Sequence, residues 1–461
     1  MILAQGLLRI YGRSMTSYRT LARNKDFTRL WAGEAVSQLG TAASLFVLPL
    51  LGYALTGSAL MAALPVAAHT LGIALSLLPA GVVADQLDRR LVLLAASAAG
   101  LVLTASMAVA GFLGAMTMPH LIVVALGTGV VAGFYMPTEM SAVRSVVSRD
   151  DLPTAISQNQ ARHHIASLLG GPLGGVLYAV AKPLPFLVDA VTFAVSLLTV
   201  SRVQADLAPV DRPRRTPVRE LGDGLHYLLA RPYFRSVAAF SAACNLVVNA
   251  VFFVAIVRLV EAGVPSTTIG LVEALAGIGG IVGALIAPFL IDRMRTGHLT
   301  MSVAWLWVPL LVPLIFWSSP WLVGAMLCIG LLLNPAGNAA GQSYRVAITP
   351  DELQGRIASS SQFLGFTTIP LAPLLGGWLL ETYGAATATT MLLVAAALTA
   401  LIPTLARSVR SVPRPHDWPV LDESGQLVEQ SERELPGLGS RIDDDEVVAP
   451  ESREGGVAAR V

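Results

Sequence analysis

Gly81-Val82-Val83-Ala84-Asp85-Gln86-Leu87-Asp88-Arg89-Arg90 lies between two long apolar segments, and its reading decides the fold. A glycine, an aspartate four residues later and then an arginine pair make a compact charged link between stretches long enough to cross a bilayer. Its charges balance locally, so they can pair with each other and with a neighbouring helix end. The island reads as a latch at a membrane surface.

Composition agrees. Of 461 residues, 54% are hydrophobic and 13% charged, where soluble domains carry about 25% charged residues. A single soluble core of this size is excluded, because such cores stop growing near ~250–300 residues. A helix needs ~20 apolar residues to cross the ~30 Å hydrocarbon layer. Twelve such segments are predicted, at 29–53, 58–80, 91–113, 119–139, 155–180, 184–204, 236–260, 267–290, 299–317, 320–341, 357–381 and 386–407. The fold class is an all-α membrane protein in a lipid bilayer.

The net charge of +1 supplies no field for nucleic acid. Cys244 and Cys328 are far apart and form no CxxC, so they read as packing residues; no metal or cofactor is implied. Residues 1–28 carry Arg9, Arg13, Arg19, Arg23 and Lys25 without the apolar run of a cleavable signal peptide. They are expected as a cytoplasmic leader, either a basic amphipathic helix on the membrane or a partly disordered segment. Arginines crowd this leader, 89–90, 144–149, 202–235, 293–295, 345–356 and 407–414, whereas 54–57, 114–118 and 318–319 carry no basic residue. The excess of basic residues places that side, with both termini, in the cytoplasm of a plasma-membrane protein. Lys182 and Arg258 are exceptions.

The spans divide six and six: an N-terminal half at 29–204, a polar connector at 205–235 with a surface helix near Leu221–Leu229, and a C-terminal half at 236–408. Residues 409–461, with Asp443-Asp444-Asp445-Glu446, have too few large apolar residues to fold and are expected as a disordered acidic tail. The halves repeat at an offset of about 200 residues. Met136-Pro137, Arg144 and Arg149-Asp150-Asp151-Leu152 correspond to Asn334-Pro335, Arg345 and Pro350-Asp351-Glu352-Leu353. Gly171-Pro172-Leu173-Gly174-Gly175 corresponds to Ala372-Pro373-Leu374-Leu375-Gly376-Gly377, and the island has an echo at Ile291-Asp292-Arg293. Two parallel six-helix halves around a midplane cavity are the architecture of alternating access.

The island, the twelve spans and the six-plus-six split resemble the major facilitator superfamily over roughly residues 25–408. Gly81, Asp85, Arg89 and Arg90 fit that family's loop between spans two and three. Asp88 stands in place of the usual second glycine and Gln86 in place of a usual basic residue. Phe27 to Gly40 and Phe186 to Ser196 resemble the transmembrane secretion effector branch, with its enterobactin-exporter-like and macrolide-efflux-like proteins. Thr41 occupies the place of an acidic residue common in that branch. The resemblance implies that Gly81, Asp85, Arg89 and Arg90, with Arg144 and Arg356 near the start of span eleven, form a latch that stabilises the outward-facing state. Gly171, Pro172, Gly174 and Gly175 resemble the fifth-helix signature of the superfamily's antiporters, which packs on span eight and seals the outer side. The arginine that such antiporters carry in span four is absent, with Ala125 in its place.

A charge at the bilayer centre costs about 2.5–3.5 kcal/mol on insertion scales, so ionisable groups within spans are candidates for proton coupling. These are Glu34 above all, because span one lines the cavity in this fold, then Asp189, His163, His164 and Glu273. Glu34 has an alternative as a carboxylate reaching to the interface, and Asp189 one as a structural hydrogen-bond anchor. Gln38, Asn245, Asn249 and Asn338 are the substrate-cavity candidates. No GxxxxGK[ST], HExxH or GxSxG motif is present, which argues against an ATP-driven pump or a hydrolase. The expected function is proton-coupled export of a small amphipathic molecule, a drug or siderophore, by a monomer. A lipid flippase or uptake permease of the same fold, and a transporter-like sensor or secretion-assembly protein, remain open alternatives.

Overall fold

The computed structural model describes residues 19–208, 217–421 and 427–428. After a helical turn at 19–23, six helices form the first half. They are α1 (Lys25–Thr56), α2 (Ala59–Gln86), α3 (Arg89–Phe112), α4 (Met118–Val146), α5 (Leu152–Val180) and α6 (Leu184–Ser201). The connector contains α7 (Pro217–Ala230), where a surface helix was expected. The second half comprises α8 (Pro232–Glu261), α9 (Ser266–Arg293), α10 (Thr296–Phe316), α11 (Pro320–Leu332), α12 (Asn334–Ala347), α13 (Asp351–Thr367) and α14 (Leu371–Leu405), followed by the short α15 (Arg407–Arg410).

Ten segments among the described residues are long and apolar enough to cross a membrane. α5 has 29 residues but fails on apolarity, because Ser157, Gln158, Asn159, Gln160, Arg162, His163 and His164 fill its first half. The last candidate, 353–405, is two spans that turn at Gly384 (φ 75°, ψ 170°), a conformation that only glycine adopts readily. With α5 included and that segment divided, the layout is the twelve-span one expected.

Polar caps start the helices. Asn24 Oδ1 accepts from the Asp26 and Phe27 amides at the head of α1. Ser58 Oγ accepts from the Met61 amide at the head of α2, and Asp88 Oδ1 from the Arg90 amide at the head of α3. Each satisfies donors that a helix start leaves open. Glycine stripes then let helices close on one another, as small residues do in bilayers. A Cβ on Gly129 of α4 would lie 2.0 Å from His69 O of α2, and one on Gly279 of α9 would lie 1.9 Å from Cys328 O of α11.

The halves meet mainly through α5 against α9 and α2 against α14. The largest cluster of buried apolar side chains runs across both, from Phe46 to Leu51, Leu121 and Phe186 to Val251, Val254, Leu311 and Leu392. A second joins Ala59, Ala62 and Ala63 of α2 to Phe253, Val257 and Leu380. Both lie at the arginine-poor end. The four other clusters each stay within one half or join the C-terminal half to α7.

Part of the expected tail is folded. Trp418 packs edge-on against Tyr344, with ring centroids 5.5 Å apart, and donates to Thr296 Oγ1 at 3.2 Å. Val420–Leu421 pairs antiparallel with Leu427–Val428. Residues 422–426 and 429–461, like 1–18, lie outside the described residues.

Candidate transport site

Glu34 and Gln38 lie one turn apart on α1, and Tyr135 and Glu139 one turn apart on α4; that spacing puts each pair on one helix face. Arg162 of α5 enters between them. Its Nη2 lies 2.8 and 3.0 Å from the two Glu139 oxygens, and its Nε donates to Gln38 Oε1 at 3.3 Å. Glu34 lies alongside, near Tyr135 and Gln38. The Tyr135 hydroxyl continues the chain to Ser196 Oγ at 3.3 Å, and Ser196 to Ser97 Oγ at 3.2 Å. Five helices thus contribute to one polar cluster inside the first half.

The cluster is buried and incompletely satisfied. Glu34, Glu139 and Arg162 are 7%, 6% and 5% exposed. Among the described residues Arg162 Nη1 has no hydrogen-bond partner, nor has Oδ1 of Asn159 one turn earlier on α5. Arg162 is ion-paired to Glu139 alone, with Glu34 nearby, so the charges of the three groups balance when one carboxyl carries a proton. An uncompensated buried charge is far costlier than a neutralised one. By helix rise it sits roughly 10–15 Å inside the arginine-rich end.

The other candidates for proton coupling lie elsewhere. Asp189, 1% exposed, accepts from Thr41 Oγ1 at 3.0 Å, Ser44 Oγ at 2.6 Å and Thr192 Oγ1 at 3.5 Å. It ties α6 to α1, the anchoring alternative, and Thr41 is one of its donors. Glu273 lies at the α5–α9 contact, where a Cβ on Gly171 would come 2.5 Å from its Oε2, an atom without a hydrogen-bond partner among the described residues. His163 and His164 are exposed on α5, with ring centroids 6.2 Å apart. Ala125 is fully buried and its carbonyl lies 3.3 Å from His69 Nδ1, away from the cluster.

The fifth-helix glycines pack in two directions. A Cβ on Gly171 or Gly175 would strike Gly270 O at 3.1 Å or Ser266 O at 2.4 Å, both on α9, and Ser266 Oγ donates across the halves to Gly175 O at 2.8 Å. A Cβ on Gly174 would strike Ala43 O of α1 at 2.5 Å. Pro172 lies between them, within an unbroken α5.

The island divides differently from expectation. Arg89 is buried and donates to Ser145 Oγ at 3.1 Å and Ala208 O at 3.3 Å; Arg90 Nη2 donates to Ser201 O. Both arginines therefore pin α3 to the ends of α4 and α6 within one half. Arg144 is exposed and has no side-chain partner among the described residues. Gly81 faces open space, with nothing within 4 Å of a Cβ. The Asp85 side chain lies outside the described residues. The Arg356 backbone touches the connector, where a Cβ on Gly224 of α7 would lie 2.5 Å from its carbonyl oxygen.

Of the cavity candidates, Gln38 is drawn onto Arg162. Asn245 Nδ2 donates to Gly365 O at 3.4 Å. The exposed Asn249 and Asn338 bond one turn back, to Asn245 O and Asn334 Oδ1, each at 2.8 Å. Sequence reasoning passed over the partnership of Tyr135, Glu139 and Arg162; the available signal was an arginine in span five facing a one-turn Tyr–Glu pair in span four. Arg258, an exception to the charge pattern, donates to Leu314 O at 2.6 Å, Thr389 Oγ1 at 3.1 Å and Ser318 Oγ at 2.8 Å, a staple across the second half.

The sequence profile of the Major Facilitator Superfamily matches residues 30–367 and 238–436. The chain belongs to this superfamily. It is therefore a membrane transporter, not an enzyme. It is similar to the enterobactin exporter EntS of Citrobacter koseri, 26% identical over 61% of this chain and 67% of that protein. It is also similar to an uncharacterized MFS-type transporter of Sinorhizobium fredii, 27% identical over 78% of this chain and 90% of that protein. Among solved folds it resembles a bacterial homologue of the human lysosomal transporter Spinster, in an inward-facing, unoccupied conformation. The TM-score is 0.66 at 13% identity, covering 85% of this chain and 98% of that one.

Proposed function

We propose that this transporter exports a small amphipathic molecule across the plasma membrane by alternating access, driven by protons held at the Glu34–Glu139–Arg162 cluster. The observation that carries this reading is the cluster itself: two carboxyls and one guanidinium, all buried, whose charges balance with one proton bound. Similarity to an enterobactin exporter supports the outward direction. In the proposed orientation the arginine-rich end is cytoplasmic. Among the described residues the two halves share apolar clusters at the opposite end, which fits a state open to the cytoplasm.

In this cycle the cytoplasm-facing state releases its proton inward and admits substrate. The outward-facing state releases substrate and takes up a proton from outside. Arg162 keeps Glu139 paired throughout, so Glu34 is the carboxyl free to change occupancy. Asn249 and Asn338, exposed in the second half, are proposed to meet polar groups of the substrate.

Everted membrane vesicles test this, with a fluorescent amphipathic dye and enterobactin as probes. Acid-loaded vesicles should accumulate a probe and lose the accumulation with a protonophore, and Glu34→Gln should abolish both. Accumulation that survives the protonophore unchanged would refute proton coupling. Movement in the opposite sense would assign the chain to uptake.

A further inference from the structure

α2 and α14 belong to different halves and cross in contact. At the arginine-poor end, Ser58 Oγ serves the Met61 amide, which leaves the first amides of α2 to be satisfied from outside the helix. The partner comes from the other half. Glu381 Oε2 of α14 accepts from the Ala59 amide at 2.7 Å, with the Leu60 amide at 3.5 Å. One turn earlier, on the same face of α14, Gly377 lets the helices touch. A Cβ there would lie 2.8 Å from Ala59 O and 3.0 Å from Leu60 Cα and Ala63 Cβ. Beneath this contact lies the apolar cluster of Ala59, Ala62, Ala63, Phe253, Val257 and Leu380, flanked by Tyr53 of α1.

A carboxylate on exposed helix amides completes the helix dipole. Here the helix and the carboxylate lie on opposite sides of the moving interface, so the contact exists only while this end is closed. Gly377 sets the spacing that brings Glu381 over the amides. We infer that Glu381 is a latch for the arginine-poor end, closing from α14 onto the start of α2, the helix that carries the charged island at its far end. The inference rests on two-state rocking of the fold and is independent of proton coupling.

The test is a distance measurement by pulsed electron–electron spectroscopy. Spin labels are placed at Ala115→Cys of the first half and Ser319→Cys of the second, with Cys244 and Cys328 replaced by serine. Both label sites are exposed and distant in sequence from the α2–α14 crossing. Glu381→Ala should raise the ratio of separated to closed molecules about two- to fivefold, the range expected of an anion at an exposed helix start. Glu381→Asp, too short to reach the amides, should reproduce much of the shift. Ser58→Ala removes a cap that both states possess and should leave the ratio unchanged. An unaltered ratio in Glu381→Ala, or an equal shift in Ser58→Ala, would overturn the latch.

Discussion

The two ends of the molecule are built differently. At the arginine-poor end the halves share apolar clusters, tight glycine contacts and the Glu381 cap, and every positive-φ glycine in the described residues sits in a turn there. At the arginine-rich end the clusters of described residues stay within one half or join the second half to α7, and Arg89 binds Ser145 of its own half and Ala208 of the connector. Apolar contact is non-directional and re-forms whenever two faces meet, so it suits a surface that closes and opens. Directional bonds kept within a half let that half move as a rigid body. In the proposed cycle rocking falls to the surface between the halves and rigidity to the buried polar groups within them.

The strongest way to break this comparison is to disturb the rigid part. Arg162→Met leaves Glu139 buried without its guanidinium, and breaking such a pair costs about 3–5 kcal/mol. Thermal unfolding in detergent should show the loss, and Glu139→Gln in the same molecule should recover most of it without restoring proton-driven transport. A wedge in the moving surface should act differently. Gly171→Leu drives a side chain into Glu273 and Gly270 at the α5–α9 contact, an overpacking of about 1–3 kcal/mol. Because that contact joins the halves, spin-label distances should shift toward separation at the arginine-poor end. Gly129→Ala, at the α2–α4 contact within one half, should lower the melting temperature without moving those distances.

A smaller effect sharpens the site. Glu34→Gln removes a charge that has no cationic partner of its own, so stability should stay level or rise. Transport rates across pH 5.5–8.5, measured with the same dye in vesicles, should lose their dependence on the proton gradient. A retained pH profile would move the proton-carrying role to Glu139 or Glu273. The smallest change in conformer balance is expected of Arg89→Ala. It loses two hydrogen bonds from a buried guanidinium, about 1–3 kcal/mol, and should weaken both conformers alike, leaving spin-label distances at both ends unaltered.

The spans were legible because crossing a bilayer demands long apolar runs, and the observed helices bracket the expected segments to within several residues. The two halves, the island and the fifth-helix glycines were legible because they repeat or match a spaced pattern. Partnership across helices was not. Glu34 stood out as a carboxylate in an apolar span, but nothing linear links it to Arg162, 128 positions later. Asp189 looked equally ionisable, and only the hydroxyls of Thr41, Ser44 and Thr192 around it reveal an anchor. The tail's composition, averaged over 409–461, concealed Trp418, whose single ring finds Tyr344 and Thr296. Glu381 was invisible for the same reason: its partners are backbone amides, which carry no sequence signature.

The central claim is that the two ends exchange, one closing as the other opens. The most direct measurement is a pair of distances in the same protein: Ala115→Cys with Ser319→Cys across the arginine-poor end, and Arg149→Cys with Arg295→Cys across the arginine-rich end. The account predicts a short, narrow distribution at the first and a long one at the second, trading places when Gly171→Leu is introduced. Distances that stay fixed at one end while the other changes, or that lengthen at both ends together, would contradict it.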